Sequence, residues 1–287
     1  MMSADVGFCV MLALAVALPY GSSRDLMQAS YTDADIFNFA LNLEYLQANF
    51  YSCGAYGQPV DNTLGGPTVL GCVKGNYSDA IQGIFENCAA NELDHVAYIQ
   101  NALGSAAVPQ PLINLTAVST GANAALGREL CCPPFSYAAN DLAGMVTAFL
   151  FEDVGVTAYN GAAPLISDKT FLSDAISIGL IEAYHAGIVR DMVFNMRNEL
   201  DPYGIYLGTA IDAVSTLRGT VSAAATGAGN FADQGITIYG TENLIPSGAG
   251  SLAFARTPTE VLAIVYLGNA SQPGGFFPNG VNGVIQG

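Results

Sequence analysis

The 287-residue chain is 51% hydrophobic and 11% charged, with 8 Lys and Arg against 24 Asp and Glu, a formal net charge of -16 and a pI near 4.1. That length and apolarity suffice for a sizeable core. The charge repels polyanions and no Lys/Arg cluster offsets it, so nucleic acid is excluded as a partner.

Residues 6–19, "VGFCVMLALAVALP", form an apolar run of signal-peptide length followed by the small and polar "YGSS". Residues 1–23 are therefore expected to be a secretory signal, although Asp5 stands where a basic residue is usual. A membrane anchor is the alternative, but the run is shorter than the ~20 residues a span needs. Later apolar stretches such as 142–151 are interrupted by polar or charged residues, so no membrane association is expected once the signal is removed.

A first helix opens near Asp33, capped by Thr32 or Asp33, and runs to Gly54, with Asp35, Asn38, Asn42 and Asn49 on its expected exposed side. A Gly- and Pro-rich loop reaches Gly75. A second helix is predicted over about 78–103, stopped by Gly104 and Pro109. A long connection over 104–138 holds the helical stretch "TAVSTGANAAL" and the breaker "CCPPF". A third helix covers about 139–160 and a fourth about 168–199, ending before Pro202. A fifth is expected over about 209–225. Residues 226–287 turn Gly-, Asn- and Pro-rich, with one helical piece, "TPTEVLAIVYLG", and one run of strand-like alternation, "GITIYG".

Four long helices in two pairs, with the long crossover between the second and third, make an all-α, ferritin-like four-helix bundle. The bundle domain is expected over 31–225, including the fifth helix, with 226–287 as a Gly-rich C-terminal appendage packed on it.

The chain has two histidines, each three residues after a glutamate: "ELDH" (Glu92, His95) and "EAYH" (Glu182, His185). Positions i and i+3 share a helix face, so each pair converges on one point. Nine glutamates in 287 residues make a chance glutamate at that offset about a one-in-thirty event per histidine. The other two long helices each carry one glutamate on an apolar face: Glu44 among Phe37, Ala40, Ala48 and Tyr51, and Glu152 among Met145, Ala148, Phe149, Val156 and Tyr159. A Glu on each of two helices and a Glu-x-x-His on each of the others is the ligand set of dimetal carboxylate bundles. Four buried carboxylates need counter-charge, which two divalent cations supply. Mixed carboxylate and imidazole donors suit iron or manganese. Tyr51 and Tyr159 each follow their glutamate by seven residues, two turns down the same face; they either hydrogen-bond ligand carboxylates or close the site as core aromatics.

The sequons at Asn76, Asn114 and Asn269 suit a secreted glycoprotein carrying N-glycans. Cys9 lies in the expected signal, leaving Cys53, Cys72, Cys88, Cys131 and Cys132. A bridge between Cys53 and Cys72 would staple the loop between them; Cys88 could then reach Cys131 or Cys132, or stay a buried thiol. No Cys/His spacing suggests zinc.

The segments "DIFNFALNLEYLQANFYSCGAYG", "LGGPTVLGC", "NELDHVAYIQNALG" with "VPQPLINL", and "FARTPTEVLAIVYLG" with "PGGFFPNGVNG" resemble the desiccation-related, ferritin-like proteins of plants, algae and fungi, from about Tyr31 to the C terminus. The resemblance implies a secreted or cell-wall protein of stress with a rubrerythrin- and ferritin-like bundle. It also implies Glu44, Glu92 with His95, Glu152, and Glu182 with His185 as the ligands of the four helices in turn. Gln47 and Asn49 depart from it, standing where more acid is expected. The functional expectation is a dimetal protein acting on dioxygen or hydrogen peroxide, as a ferroxidase or in the manner of a manganese catalase. The alternative is a non-catalytic, protective extracellular glycoprotein whose metal site is a folding staple.

Overall fold

The computed structural model describes residues 31–61, 64–227 and 233–287; the expected signal over 1–23 lies outside them. Among the described residues there are seven α-helices: α1 (Asp33–Tyr56), α2 (Asp79–Leu103), α3 (Ala117–Leu126), α4 (Asp141–Ala162), α5 (Lys169–Asn195), α6 (Leu207–Thr226) and α7 (Pro258–Val265). α1 packs along α2 and α4 along α5, the crossover between the pairs carries α3, and α6 lies against α3, α4 and α7. The fold is the all-α, ferritin-like bundle that the helix order predicts.

Side-chain caps fix the helix starts. Thr32, and not Asp33, caps α1: the Asp35 backbone N–H donates to Thr32 Oγ1 at 3.2 Å while Asp35 Oδ2 accepts from the Thr32 N–H at 2.9 Å. Asp33 accepts instead from the N–H groups of Ser167 and Asp168, at 2.8 and 2.7 Å, tying the start of α1 to the entry of α5. Asn140 and Asp168 cap α4 and α5 through the N–H groups of Ala143 and Thr170. Gly57, at φ 72°, ends α1 in the left-handed conformation that glycine adopts without penalty. α5 stops at Asn195, short of the predicted 199, because Met196 (φ -91°, ψ 1°) leaves helical geometry and a turn follows.

α1 is enclosed on every side, which corrects the expectation that Asn38, Asn42 and Asn49 face solvent; all three are buried. Each clamps a later segment. Asn38 donates to the Ala106 carbonyl and accepts from the Val108 N–H. Asn42 exchanges two bonds of 2.8 Å with the Asn282 backbone. Asn49 donates to Gln110 Oε1 and accepts from the Val60 N–H. An amide carries both a donor and an acceptor, so it can satisfy backbone that a purely apolar helix would strand.

The tail lies against the helices as well. Phe276 packs edge-on to Phe151 with centroids 5.0 Å apart, the Arg256 N–H donates to the Thr157 carbonyl, and a Cβ on Gly161 would fall 1.8 Å from the Arg256 carbonyl oxygen. "GITIYG" forms half of a minimal hairpin, β1 (Thr237–Ile238) against β2 (Thr241–Glu242). By length and composition α4 and the turn after it do reach the limits of a membrane span, contrary to the expectation for this stretch. Yet 83% of the most apolar window is buried inside the protein, so this apolarity is that of a core helix.

Cys53 and Cys72 form a disulfide across 19 positions. Cys88 is free and buried on α2, while Cys131 and Cys132 are free and exposed, so of the two alternatives for Cys88 the structure has the buried thiol and not the bridge to Cys131 or Cys132. Removal of the bridge by Cys72→Ser is expected to cost about 3 kcal/mol of stability, measured as a lower Tm in scanning calorimetry. An unchanged Tm would mean that the backbone bonds of Leu70 to Ile113 and Leu115 hold the loop unaided.

Candidate metal centre

Helical periodicity turns one polar cluster into the apolar interior. Glu44 on α1, Glu92 on α2, Glu152 on α4 and Glu182 on α5 are each 0% exposed, with His95 and His185 at 8% and 4%. The six side chains form two overlapping donor groups, Glu44, Glu92, His95 and Glu182, and Glu92, Glu152, Glu182 and His185, each with donor atoms within 4.8 Å of one another. Glu92 and Glu182 belong to both.

Each imidazole turns Nδ1 inward. His95 Nδ1 lies 3.1 Å from Glu44 Oε2, 3.5 Å from Glu92 Oε2 and 3.7 Å from Glu182 Oε1. His185 Nδ1 lies 3.1 Å from Glu92 Oε1 and 3.5 Å from Glu152 Oε2. Outside the cluster, His185 Nε2 meets Asn91 Oδ1 at 3.0 Å; an acceptor there keeps the proton on Nε2 and leaves the Nδ1 lone pair free in the neutral ring.

The tyrosines act crosswise. Tyr51 of α1 donates to Glu152 Oε1 of α4, and Tyr159 of α4 donates to Glu44 Oε1 of α1. Gln47 donates to Glu182 Oε2 at 3.0 Å, so the residue that departs from the acidic pattern holds a carboxylate instead of adding one. Three positions after Glu152, where Gln47 stands relative to Glu44, is Gly155; a Cβ there would lie 1.9 Å from that same Glu182 oxygen. Asn91 and Gly155 carry almost no signal in the sequence. The only signal was their position, next to Glu92 and one turn beyond Glu152.

Glu92 Oε1 and Oε2, Glu152 Oε2, Glu182 Oε1 and His185 Nδ1 are buried without a hydrogen-bond partner. Orphaned acceptors cost free energy unless something electrophilic meets them, and carboxylate oxygens with imidazole nitrogens are donors that divalent metal ions accept. The cluster therefore fits a pair of metal ions. Without them it must hold protons. Burial and repulsion from Glu92 push Glu44 up to about 7; burial raises Glu152 and Glu182 as well. Burial alone would lower the imidazoles, but the neighbouring carboxylates reverse this and raise both to about 10.

A ferritin-like domain family model matches residues 32–195, the span containing all six side chains. The chain is 30% identical to the ferritin-like catalase Nec2 of Nesocodon mauritianus over 276 residues, covering 88% of this chain and 84% of that one. It is 31% identical to the desiccation-related protein PCC13-62 of Craterostigma plantagineum over 195 residues, 65% of this chain and 61% of that protein's length. No solved structure gives a significant match.

Two outcomes are expected. Metal entry must displace protons held by groups with raised pKa, so affinity for Mn(II) should rise from pH 6 to 8 by about tenfold per unit for each proton released; calorimetric titration in buffers of different ionisation heat measures the release, and a pH-independent affinity would refute it. Gly155→Ala favours a helix by about 1 kcal/mol on propensity, but should lower metal content by displacing Glu182; full occupancy in that variant would show that the carboxylate has room to move.

Proposed function

Because the chain belongs to the ferritin-like domain family, we propose that it is a secreted stress-protective protein holding two ions of iron or manganese that act on hydrogen peroxide or dioxygen. The observation that carries this reading is the pair of sealed donor groups sharing Glu92 and Glu182. In it, Glu44 and His95 would hold one ion and Glu152 and His185 the other, with Glu92 and Glu182, which belong to both groups, available to either. When bound, such a pair supplies two one-electron couples and a Lewis-acidic face for a small oxidant.

The protein's own groups do the rest. Tyr159 and Tyr51 hold Glu44 and Glu152 in orientation while keeping a proton at each phenol oxygen. Gln47 does the same for Glu182, and Asn91 fixes the His185 tautomer. Water is kept from the carboxylates, and only the imidazole edges touch the surface, with side chains 10% and 6% exposed. The two imidazoles, on α2 and α5, are thus the part of the cluster nearest to solvent. Kinship with a protein named as a ferritin-like catalase supports peroxide ahead of Fe(II) oxidation. Secretion would also fit the surface: Asn76 and Asn269 are exposed and Asn114 half-buried, and Asn114 and Asn269 accept from the backbone N–H two residues on in each sequon.

The enclosure favours a second reading, in which bound metal stabilises the bundle by mass action without turnover. Both predict about two metal ions per chain, lost in His185→Ala, by elemental analysis of natively purified protein; absence of stoichiometric metal would overturn both. They part on activity. The redox reading expects the loaded protein to consume hydrogen peroxide, or Fe(II) with dioxygen, faster than Glu92→Ala; equal rates leave the staple.

A further inference from the structure

Of the five cysteines beyond residue 23, Cys53 and Cys72 are bonded and Cys88 is buried, which leaves Cys131 and Cys132 as the thiols that solvent reaches. They are consecutive, in the turn between α3 and α4, with Sγ atoms 3.1 Å apart. The backbone around them is held. Leu130 and Phe135, on either side, are buried. The Leu130 N–H donates to Asn123 Oδ1 of α3 at 2.7 Å, and the Pro133 carbonyl accepts at 3.0 Å from the hydroxyl of Tyr203, on the connection between α5 and α6. Cys132 itself has φ 69°, in the left-handed region that residues other than glycine seldom occupy. An anchored turn thus presents two thiols side by side, so little conformational freedom is lost in joining them.

A bond between them would differ in kind from Cys53–Cys72. The peptide joining the two residues is trans, which sets their Cα atoms about 3.8 Å apart, short of the range of about 4.4–6.8 Å in which disulfides are relaxed. Cys53 and Cys72, 5.0 Å apart at Cα, lie within that range. A ring closed over consecutive residues is therefore strained, and strained, exposed disulfides have higher reduction potentials than relaxed structural ones.

We propose that Cys131 and Cys132 form a reversible redox site, exchanging between a dithiol and a vicinal disulfide with small-molecule thiols and disulfides. In the oxidising direction one thiolate attacks a sulfur of the small disulfide and expels the first thiol. The neighbouring cysteine gives up its proton and attacks the protein sulfur of that mixed disulfide, expelling the second. Two electrons pass from the cysteine pair to the small disulfide, and the two protein protons end on the thiols released. Reduction runs the same steps backward. None of the six cluster residues takes part, so the site works whether or not metal is bound.

The spacing of Lys and Arg separates the thiols for assay. Tryptic cleavage after Arg24, Lys74, Arg128 and Lys169 puts Cys53 with Cys72 on residues 25–74, Cys88 on 75–128 and the vicinal pair alone on 129–169. The full protein is equilibrated in glutathione buffers of increasing oxidised fraction, quenched in acid, alkylated, digested and weighed by mass spectrometry. Peptide 129–169 should pass from two alkyl labels to none, without adducts and lighter than the dithiol by two hydrogens, while Cys53–Cys72 stays closed. Reopening the vicinal pair should take at least about tenfold less dithiothreitol than opening Cys53–Cys72. Cys132→Ser should accumulate a glutathione adduct on Cys131 that the wild type resolves. Two labels at every ratio, adducts persisting on the wild type, a link between two chains, or reopening no easier than that of Cys53–Cys72 would each overturn the proposal.

Discussion

Four carboxylates sit where a helical bundle wants hydrocarbon, and no lysine or arginine pairs with them among the described residues. An uncompensated buried charge costs several kcal/mol, so the surrounding structure is organised around sharing it. The phenols of Tyr51 and Tyr159, the amide of Gln47 and the imidazoles each take part of the load. The sharing works only in a dry setting, because water would compete for every one of these bonds. Dryness in turn requires that α1 be covered all round, and the loop after α2 and the C-terminal tail provide the cover through Asn38, Asn42 and Asn49.

What could be read from the sequence was what repeats at the helical period. Caps and Gly/Pro punctuation locate the helices to within two residues at most ends, the end at Asn195 excepted, and the two Glu-x-x-His pairs stand out because both histidines carry the same offset. The six residues singled out on that basis lie together in the bundle interior. What stayed hidden depends on partners distant in the chain. Nothing near Asn42 in sequence announces that Asn282 will cover it, and asparagine suits a wet face as well as a dry clamp. Nothing near Cys88 separates a disulfide partner from a thiol whose ionisation burial and nearby Glu152 and Glu92 suppress. The buried network that Arg190, Arg218 and Arg256 form with Asp153 and Asp233 had no signal at all, since its arginines stand on α5, on α6 and just before α7 with no period between them.

Adjacent residues on α4 belong to opposite systems. Glu152 turns into the carboxylate cluster, while Asp153 turns out to Arg190 and Arg218. One lies among further carboxylates and the other beside two guanidiniums, with a single helix wall between them. α4 is thus pinned on both faces by polar groups inside an otherwise apolar helix, which restricts its rotation and sliding more than hydrophobic contact would.

The crosswise tyrosines bear on how the molecule is made. To the cluster the α1–α2 hairpin contributes one lone glutamate, one Glu-x-x-His and one phenol, and the α4–α5 hairpin contributes the same set. Each phenol serves the other hairpin's acid, so neither half is chemically closed by itself. The segment up to Leu103 alone therefore holds an open half-site, and the centre is complete only where the two hairpins are docked. Both donor groups draw on both hairpins, so neither is complete in one hairpin alone.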